Sequence, residues 1–147
     1  MGMSVMMYSM RCKSIVKGYG EGYAIASAQP INLLSIDANG KVNDSAHMLN
    51  GKSIANRVLV FPNAIGSSVG AYRLYAAKVN GKAPNAVVCS KADIITASAC
   101  AISNIPLVEC YEFDMLMKLC SNRDVVATVD ATNALITFSV KDGVRDR

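Results

Sequence analysis

The run Arg57-Val58-Leu59-Val60-Phe61-Pro62-Asn63-Ala64-Ile65-Gly66-Ser67-Ser68-Val69-Gly70, followed on to Val108, decides the fold. Val58 to Phe61 is short, unbroken and apolar, which suits a strand covered on both faces. Pro62 ends it, because proline has no N–H for a ladder. Val69 to Val79 reads as a helix, closed by Gly81 and Pro84. Ala86-Val87-Val88-Cys89 is a second buried strand. Asp93 is placed to cap a helix from Ile94 to about Ser103, and Pro106-Leu107-Val108 opens a third strand. Strand–helix–strand–helix–strand with very short connections predicts a parallel βαβαβ unit.

The flanks differ. Val5 to Val16 is mixed and strand-compatible, and Gly18, Gly20 and Gly22 around Glu21 read as a permissive turn. Tyr23 to Ser27 and Ile31 to Ile36 are short apolar runs before the hairpin signal Asn39-Gly40. Lys41 to Lys52 is a polar connection containing His47. Near the end, Phe113 to Leu119 suits a short helix. Val125 to Val129 and Ala134 to Val140 alternate around a turn, as in an antiparallel hairpin. The expectation is an α/β fold with a parallel central sheet and a flanking antiparallel sheet. It forms one domain over 1–147, with residues 1 to about 8 outside its ordered body.

The 147 residues are 52% hydrophobic and 18% charged, which excludes a disordered chain, a collagen or a coiled coil. Fifteen basic and 11 acidic residues give +4, too mild to imply nucleic acid. The basic residues are scattered, and Lys141, Arg145 and Arg147 alternate with Asp142 and Asp146, so they read as solvated surface. Five cysteines (Cys12, Cys89, Cys100, Cys110 and Cys120) are odd in number, without a C-x-x-C pair, which argues against a secreted disulfide framework. No cluster of ligands suits a metal centre within the chain. The uncharged runs are shorter than the ~20 residues a bilayer helix requires, and the start lacks a signal-peptide pattern. A cytoplasmic, reducing location is expected.

Two motifs fail. Gly51-Lys52-Ser53 resembles the end of a P-loop, but Ala46 stands where the first glycine belongs. Gly66-Ser67-Ser68-Val69-Gly70 fits G-x-S-x-G in a strand–turn–helix setting. Yet the only histidine, His47, precedes the serine, and the chain is far too short for that hydrolase fold. What remains is physical. A serine at a helix N-terminus stands among unpaired N–H groups and the positive end of the dipole. The carboxyl ends of parallel strands are also the usual ligand position. An ordinary N-cap is the simpler explanation of the serine, so the residues alone favour capping and leave anion binding open.

The ordered series Gly20-Glu21-Gly22-x-Ala24, Pro30, Asp37 with Gly40, His47 to Gly51, Val58-Leu59-Val60-Phe61-Pro62 and Gly66-Ser67-Ser68-x-Gly70 continues through Asn80-Gly81-x-Ala83-Pro84-x-Ala86, Ile105-Pro106-Leu107-Val108 and Val126 to Asp130. From about Cys12 to Phe138 this resembles the swivel-domain subunit of the aconitase X family. The resemblance implies a swivelling β/β/α domain and a larger partner subunit carrying a [4Fe-4S] cluster, with no cofactor bound by this chain alone. It implies dehydration of (R)-5-phosphomevalonate to trans-anhydromevalonate 5-phosphate within a mevalonate route to isoprenoids. It makes Ser67 the catalytic base, with Gly66 and Ser68 lining the substrate site. Asn63-Ala64-Ile65, Val69 and Leu34-Ser35 depart from residues common in relatives, which leaves the carboxylate and phosphate ligands open.

Three alternatives remain: dehydration of cis-3-hydroxyproline, a non-catalytic anion-binding module, and a phosphohistidine-type swivel domain using His47. His47 reads more simply as a hydrogen-bonded loop residue. Tyr72, Arg73 and Tyr75 read as helix surface and core.

Overall fold

Leu59 and Phe61 alternate with Val58 and Val60, and all four are buried. Successive side chains of a strand point to opposite faces, so this strand must separate two apolar layers. In the computed structural model, which describes residues 4–121 and 123–142, it does. The strands are β1 (Ser4–Val16), β2 (Tyr19–Ala26), β3 (Ile31–Asn32), β4 (Val58–Phe61), β5 (Ala64–Ile65), β6 (Ala86–Cys89), β7 (Leu107–Cys110), β8 (Val125–Asp130) and β9 (Leu135–Asp142). The helices are α1 (Ala71–Val79), α2 (Ile94–Ser103) and α3 (Phe113–Cys120), with 3-10 turns at Leu33–Ser35 and Ser68–Gly70.

Seven strands close into one barrel in the order β1-β7-β6-β4-β2-β8-β9, and β3 pairs with β5 beside it. β2, β4, β6 and β7 run parallel, so the βαβαβ unit is present with one further parallel strand. β8, β9 and β1 complete the ring with antiparallel pairings. The expected separate central and flanking sheets are therefore arcs of a single mixed barrel. The cause is β1, whose 13 residues pair with β9 along the first part and with β7 along the last.

The barrel interior takes Val58, Val60, Ala86, Val88, Val108 and Cys110 from the parallel arc. From the antiparallel arc come Met10, Cys12, Val125, Ala127, Val129, Ile136, Phe138 and Val140, and α3 adds Phe113, Leu116 and Leu119. The outer layer packs Leu59, Phe61, Val87, Cys89 and Leu107 against Leu74 and Ala77 of α1 and Ala99 and Cys100 of α2. It extends to Ile31, Leu33, Ile36, Val42, Leu49 and Ile54. The connection from 41 to 52 is thus pinned by its own buried residues and by bridges Ile36↔Val42 and Lys41↔Ser53.

Two expectations fail at the N-terminal side. Residues 4–8 belong to β1, with Tyr8 opposite Phe138. Met1, Gly2 and Met3, and the charged tail from 143 to 147, lie outside the described residues. Gly20, Glu21 and Gly22 do not make a turn; they are in β2. A Cβ on Gly22 would stand 2.6 Å from the Asn56 carbonyl oxygen, and one on Gly20 would run into that of Asn85. The two glycines let neighbouring loops lie against the strand, and Asn85 Nδ2 seals the contact by donating to the Glu21 and Asn56 carbonyls. No helix among the described residues is long and apolar enough to cross a membrane.

Candidate functional site

β4 delivers the chain to Pro62 at the carboxyl end of the parallel arc. From there β5 runs beside β3, with Ile31 opposite Ala64 and Asn32 opposite Ile65. Asp93 fixes this outlying strand. Its Oδ1 accepts from the Ala64 N–H at 2.8 Å and from Thr96 Oγ1 at 2.7 Å, while Oδ2 accepts from the Thr96 N–H at 3.0 Å. One carboxylate therefore caps α2, as the sequence predicts, and also ties α2 to β5. Burial raises its pKa, but the bonds from Thr96 and Ala64 outweigh burial and hold the carboxyl below its ordinary value.

Gly66 turns the chain out of β5. Its φ is +92°, and a Cβ there would stand 2.8 Å from Asn32 Oδ1. Sequence reading passed over Asn32, although its place before Leu33-Leu34-Ser35 is a capping signal. Asn32 Oδ1 accepts from the Leu34 N–H at 3.1 Å, and its carbonyl accepts from Ser35 Oγ at 2.7 Å. The Leu33–Ser35 turn is thereby a rigid floor under Gly66.

Ser67 follows in extended conformation and caps the Ser68–Gly70 turn. Its Oγ accepts from the Val69 N–H at 3.2 Å, and its carbonyl accepts from the Gly70 N–H at 3.0 Å. The turn runs straight into α1, where the Ala71 N–H donates to the carbonyls of Ser68 and Val69. Gly66, Ser67 and Ser68 are all exposed. The geometry gives Ser67 Oγ a backbone donor, the positive end of a helix and access to a ligand. Ile65 and Val69 flank it half-exposed; Leu34 is on the Leu33–Ser35 turn and Ile94 opens α2, and both of these elements pack against the Ser68–Gly70 turn.

The other singled-out residues stand apart. His47 Nδ1 accepts from the Leu49 N–H at 3.0 Å, which leaves Nε2 to carry the proton and donate to the Pro30 carbonyl at 3.0 Å. Ser27 Oγ lies 3.4 Å from Nε2. Both ring nitrogens are thus spent on loop hydrogen bonds. Tyr72, Arg73 and Tyr75 are on the exposed side of α1, around buried Leu74. Cys89 and Cys100 are fully buried in the outer layer, where burial pushes the Cys100 thiol up to about 12 and the Cys89 thiol well above its ordinary value. Among the described residues, no three His, Cys, Asp or Glu side chains converge on a metal position.

A mixed seven-stranded barrel that carries a Gly-Ser-Ser turn beyond its parallel strands defines an α/β domain with an open, one-sided site. The sequence matches the model of the aconitase X swivel domain over residues 9–138, and the chain belongs to that family. It is 42% identical over 102 residues to the phosphomevalonate dehydratase small subunit of Thermococcus onnurineus, covering 68% of this chain and 78% of that one. To the phosphomevalonate dehydratase small subunit of Methanothermobacter thermautotrophicus it is 35% identical over 129 residues, covering 86% and 97%. The fold superposes on the crystal structure of Thermococcus kodakaraensis aconitase X in its holo-form with a TM-score of 0.81, at 35% identity and 89% and 98% coverage.

Proposed function

We propose that this chain is the small subunit of a heteromeric hydro-lyase that dehydrates (R)-5-phosphomevalonate to trans-anhydromevalonate 5-phosphate in the cytoplasm. The observation that carries the reading is the exposed Ser67 Oγ at a helix start, in a chain of this family whose relatives bear that enzyme's name. Cis-3-hydroxyproline as substrate is not favoured by those names.

Dehydration next to a carboxylate removes a proton from the neighbouring carbon and expels a hydroxyl. Ser67 is the proton acceptor. A free serine hydroxyl is a weak base, so its alkoxide needs donors. The Val69 N–H is one and the dipole of the turn leading into α1 is another contribution. Gly66 and Ser68 would line the substrate on either side. Among the described residues the partner of Ser67 Oγ is a backbone group, and the cation that completes alkoxide stabilisation is assigned to the large subunit.

The same holds for the [4Fe-4S] cluster. Thiolates must converge to hold one, and here four of the five cysteines are buried while none of the described side chains cluster suitably. The residues present do not fit the group, and no step is derived through it. The barrel would act as the swivelling β/β/α domain that presents Ser67 to a site completed by the partner. Exposed Leu34, Ile65, Val69 and Ile94, on the turn and on elements packed against it, support such an arrangement.

The test is anaerobic co-expression with the large subunit, followed by side-by-side assays. The expected result is a stable complex that dehydrates phosphomevalonate. Turnover of cis-3-hydroxyproline alone would reverse the substrate. A stable monomer that never associates would return the chain to an anion-binding module.

A further inference from the structure

The barrel interior holds three sulfur atoms at one place on the seam between β1 and β7. Met10 and Cys12, two residues apart on β1, face inward, and Cys110 stands directly opposite Cys12 on β7. Cys110 Sγ lies 3.8 Å from Met10 Sδ. The proposed reaction uses none of them.

The type of this cross-strand pair follows from one hydrogen bond. The N–H and C=O of a strand residue point to the same side, and the Cys12 N–H donates to the Ala134 carbonyl at 3.2 Å. Cys12 therefore spends its backbone groups toward β9. Toward β7 it forms a non-hydrogen-bonded pair with Cys110, the type whose Cα atoms approach to about 4.5 Å and whose side chains are closest. Disulfides span Cα separations of about 4.4–6.8 Å, so the pair is within bonding reach.

Cys110 is among the residues lining an open cleft of about 430 Å3 at the carboxyl edge of β7, together with Ser90, Lys91, Tyr111 and Glu112, and Cys12 is not. Both cysteines are buried, Cys110 at 3% and Cys12 at 4% exposure. We propose that Cys12 and Cys110 are a redox-active dithiol that closes into a reversible disulfide across the barrel seam.

Thiol–disulfide exchange with a small-molecule disulfide balances the step. The Cys110 thiolate attacks one sulfur of that disulfide through the cleft and releases one small thiolate. The Cys12 thiolate then attacks Cys110 Sγ and releases the second. Two protein thiols and one small disulfide become one protein disulfide and two small thiols. At rest the pair is protonated. Burial raises both thiols, Cys12 to about 11; the charges of Cys110 and Asp130 add to the rise at Cys12, while at Cys110 the Glu112 N–H lowers the thiol and the Glu112 charge raises it.

The test is to incubate the full native chain with cystamine, block remaining thiols, and read intact mass and disulfide-linked peptides. Expected are a loss of two hydrogens, a Cys12–Cys110 link, and its reversal by mild dithiothreitol. Cys12→Ser should stall the reaction as a cysteamine adduct on Cys110, and Cys110→Ser should leave Cys12 unmodified. Five thiols still free after exposure, or a link through Cys89, Cys100 or Cys120, would overturn the proposal. The wild-type mass shift alone decides even if a variant fails to fold.

Discussion

Among the described residues Ser67 Oγ has one donor, the Val69 N–H 3.2 Å away, and its setting depends on the residue before it. Gly66 combines a left-handed backbone with side-chain contact to Asn32, so Gly66→Ala forces both strain and displacement of the floor. The expected cost is about 1–3 kcal/mol in urea unfolding, with activity of the assembled enzyme falling further than stability explains. Ser68 is exposed and its side chain caps nothing. Ser68→Ala should therefore leave unfolding unchanged within about 0.5 kcal/mol and act on KM for the substrate. A Ser68→Ala enzyme with unaltered KM and kcat would remove Ser68 from the substrate site.

At the scale of elements, Asp93 joins the cap of α2 to β5 and so to the start of the serine turn. Asp93→Ala should cost about 1 kcal/mol for the lost cap and increase amide exchange at Ala64. Its pH dependence has a definite sign. The folded carboxyl titrates below its ordinary value of 3.8, so its stabilisation is present above that value. It is lost as pH falls through the folded pKa. Urea midpoints of wild type and Asp93→Asn should converge in acid, and a gap that widens there would contradict the assignment.

The elements show why some of this was legible in sequence. β4 and β6 are buried on both faces and announce themselves as unbroken apolar runs, and Asp93 announces α2 as a cap. The Gly66-Ser67-Ser68 turn was legible as a cap after a parallel strand, while Ser67 as the base follows from the family resemblance and not from the local pattern. Closure of the barrel was not, because it rests on β1 pairing with two strands about 100 residues away, which leaves no local mark. Gly20 and Gly22 read as a turn because glycine tolerates turns. Here they serve the close approach of Asn56 and Asn85, visible only in three dimensions. Asn32 carries a local capping signal before Leu33-Leu34-Ser35, but its close approach to Gly66, 34 residues on, is visible only in three dimensions.

The whole molecule has two apolar layers on either side of the parallel arc. Phe138 fills the barrel interior and Leu74 anchors α1 in the outer layer. Phe138→Ala should cost about 3–5 kcal/mol and Leu74→Ala about 2–5 kcal/mol, both read by denaturant unfolding. Ile94 is 81% exposed beside the serine turn and belongs to neither layer. Ile94→Asp should leave the isolated chain's stability nearly unchanged and weaken association with the large subunit at least tenfold, measured by titration. Unaltered affinity would place the docking face elsewhere.

The central claim is that this chain brings the base to a site whose metal belongs to its partner. The most direct measurement is phosphomevalonate dehydration by the assembled, cluster-loaded complex containing Ser67→Ala, with complex mass and iron content checked against wild type. A general base contributes roughly 10²–10⁴-fold, so turnover should fall by that much while assembly and iron stay the same. Wild-type turnover by the Ser67→Ala complex would contradict the account.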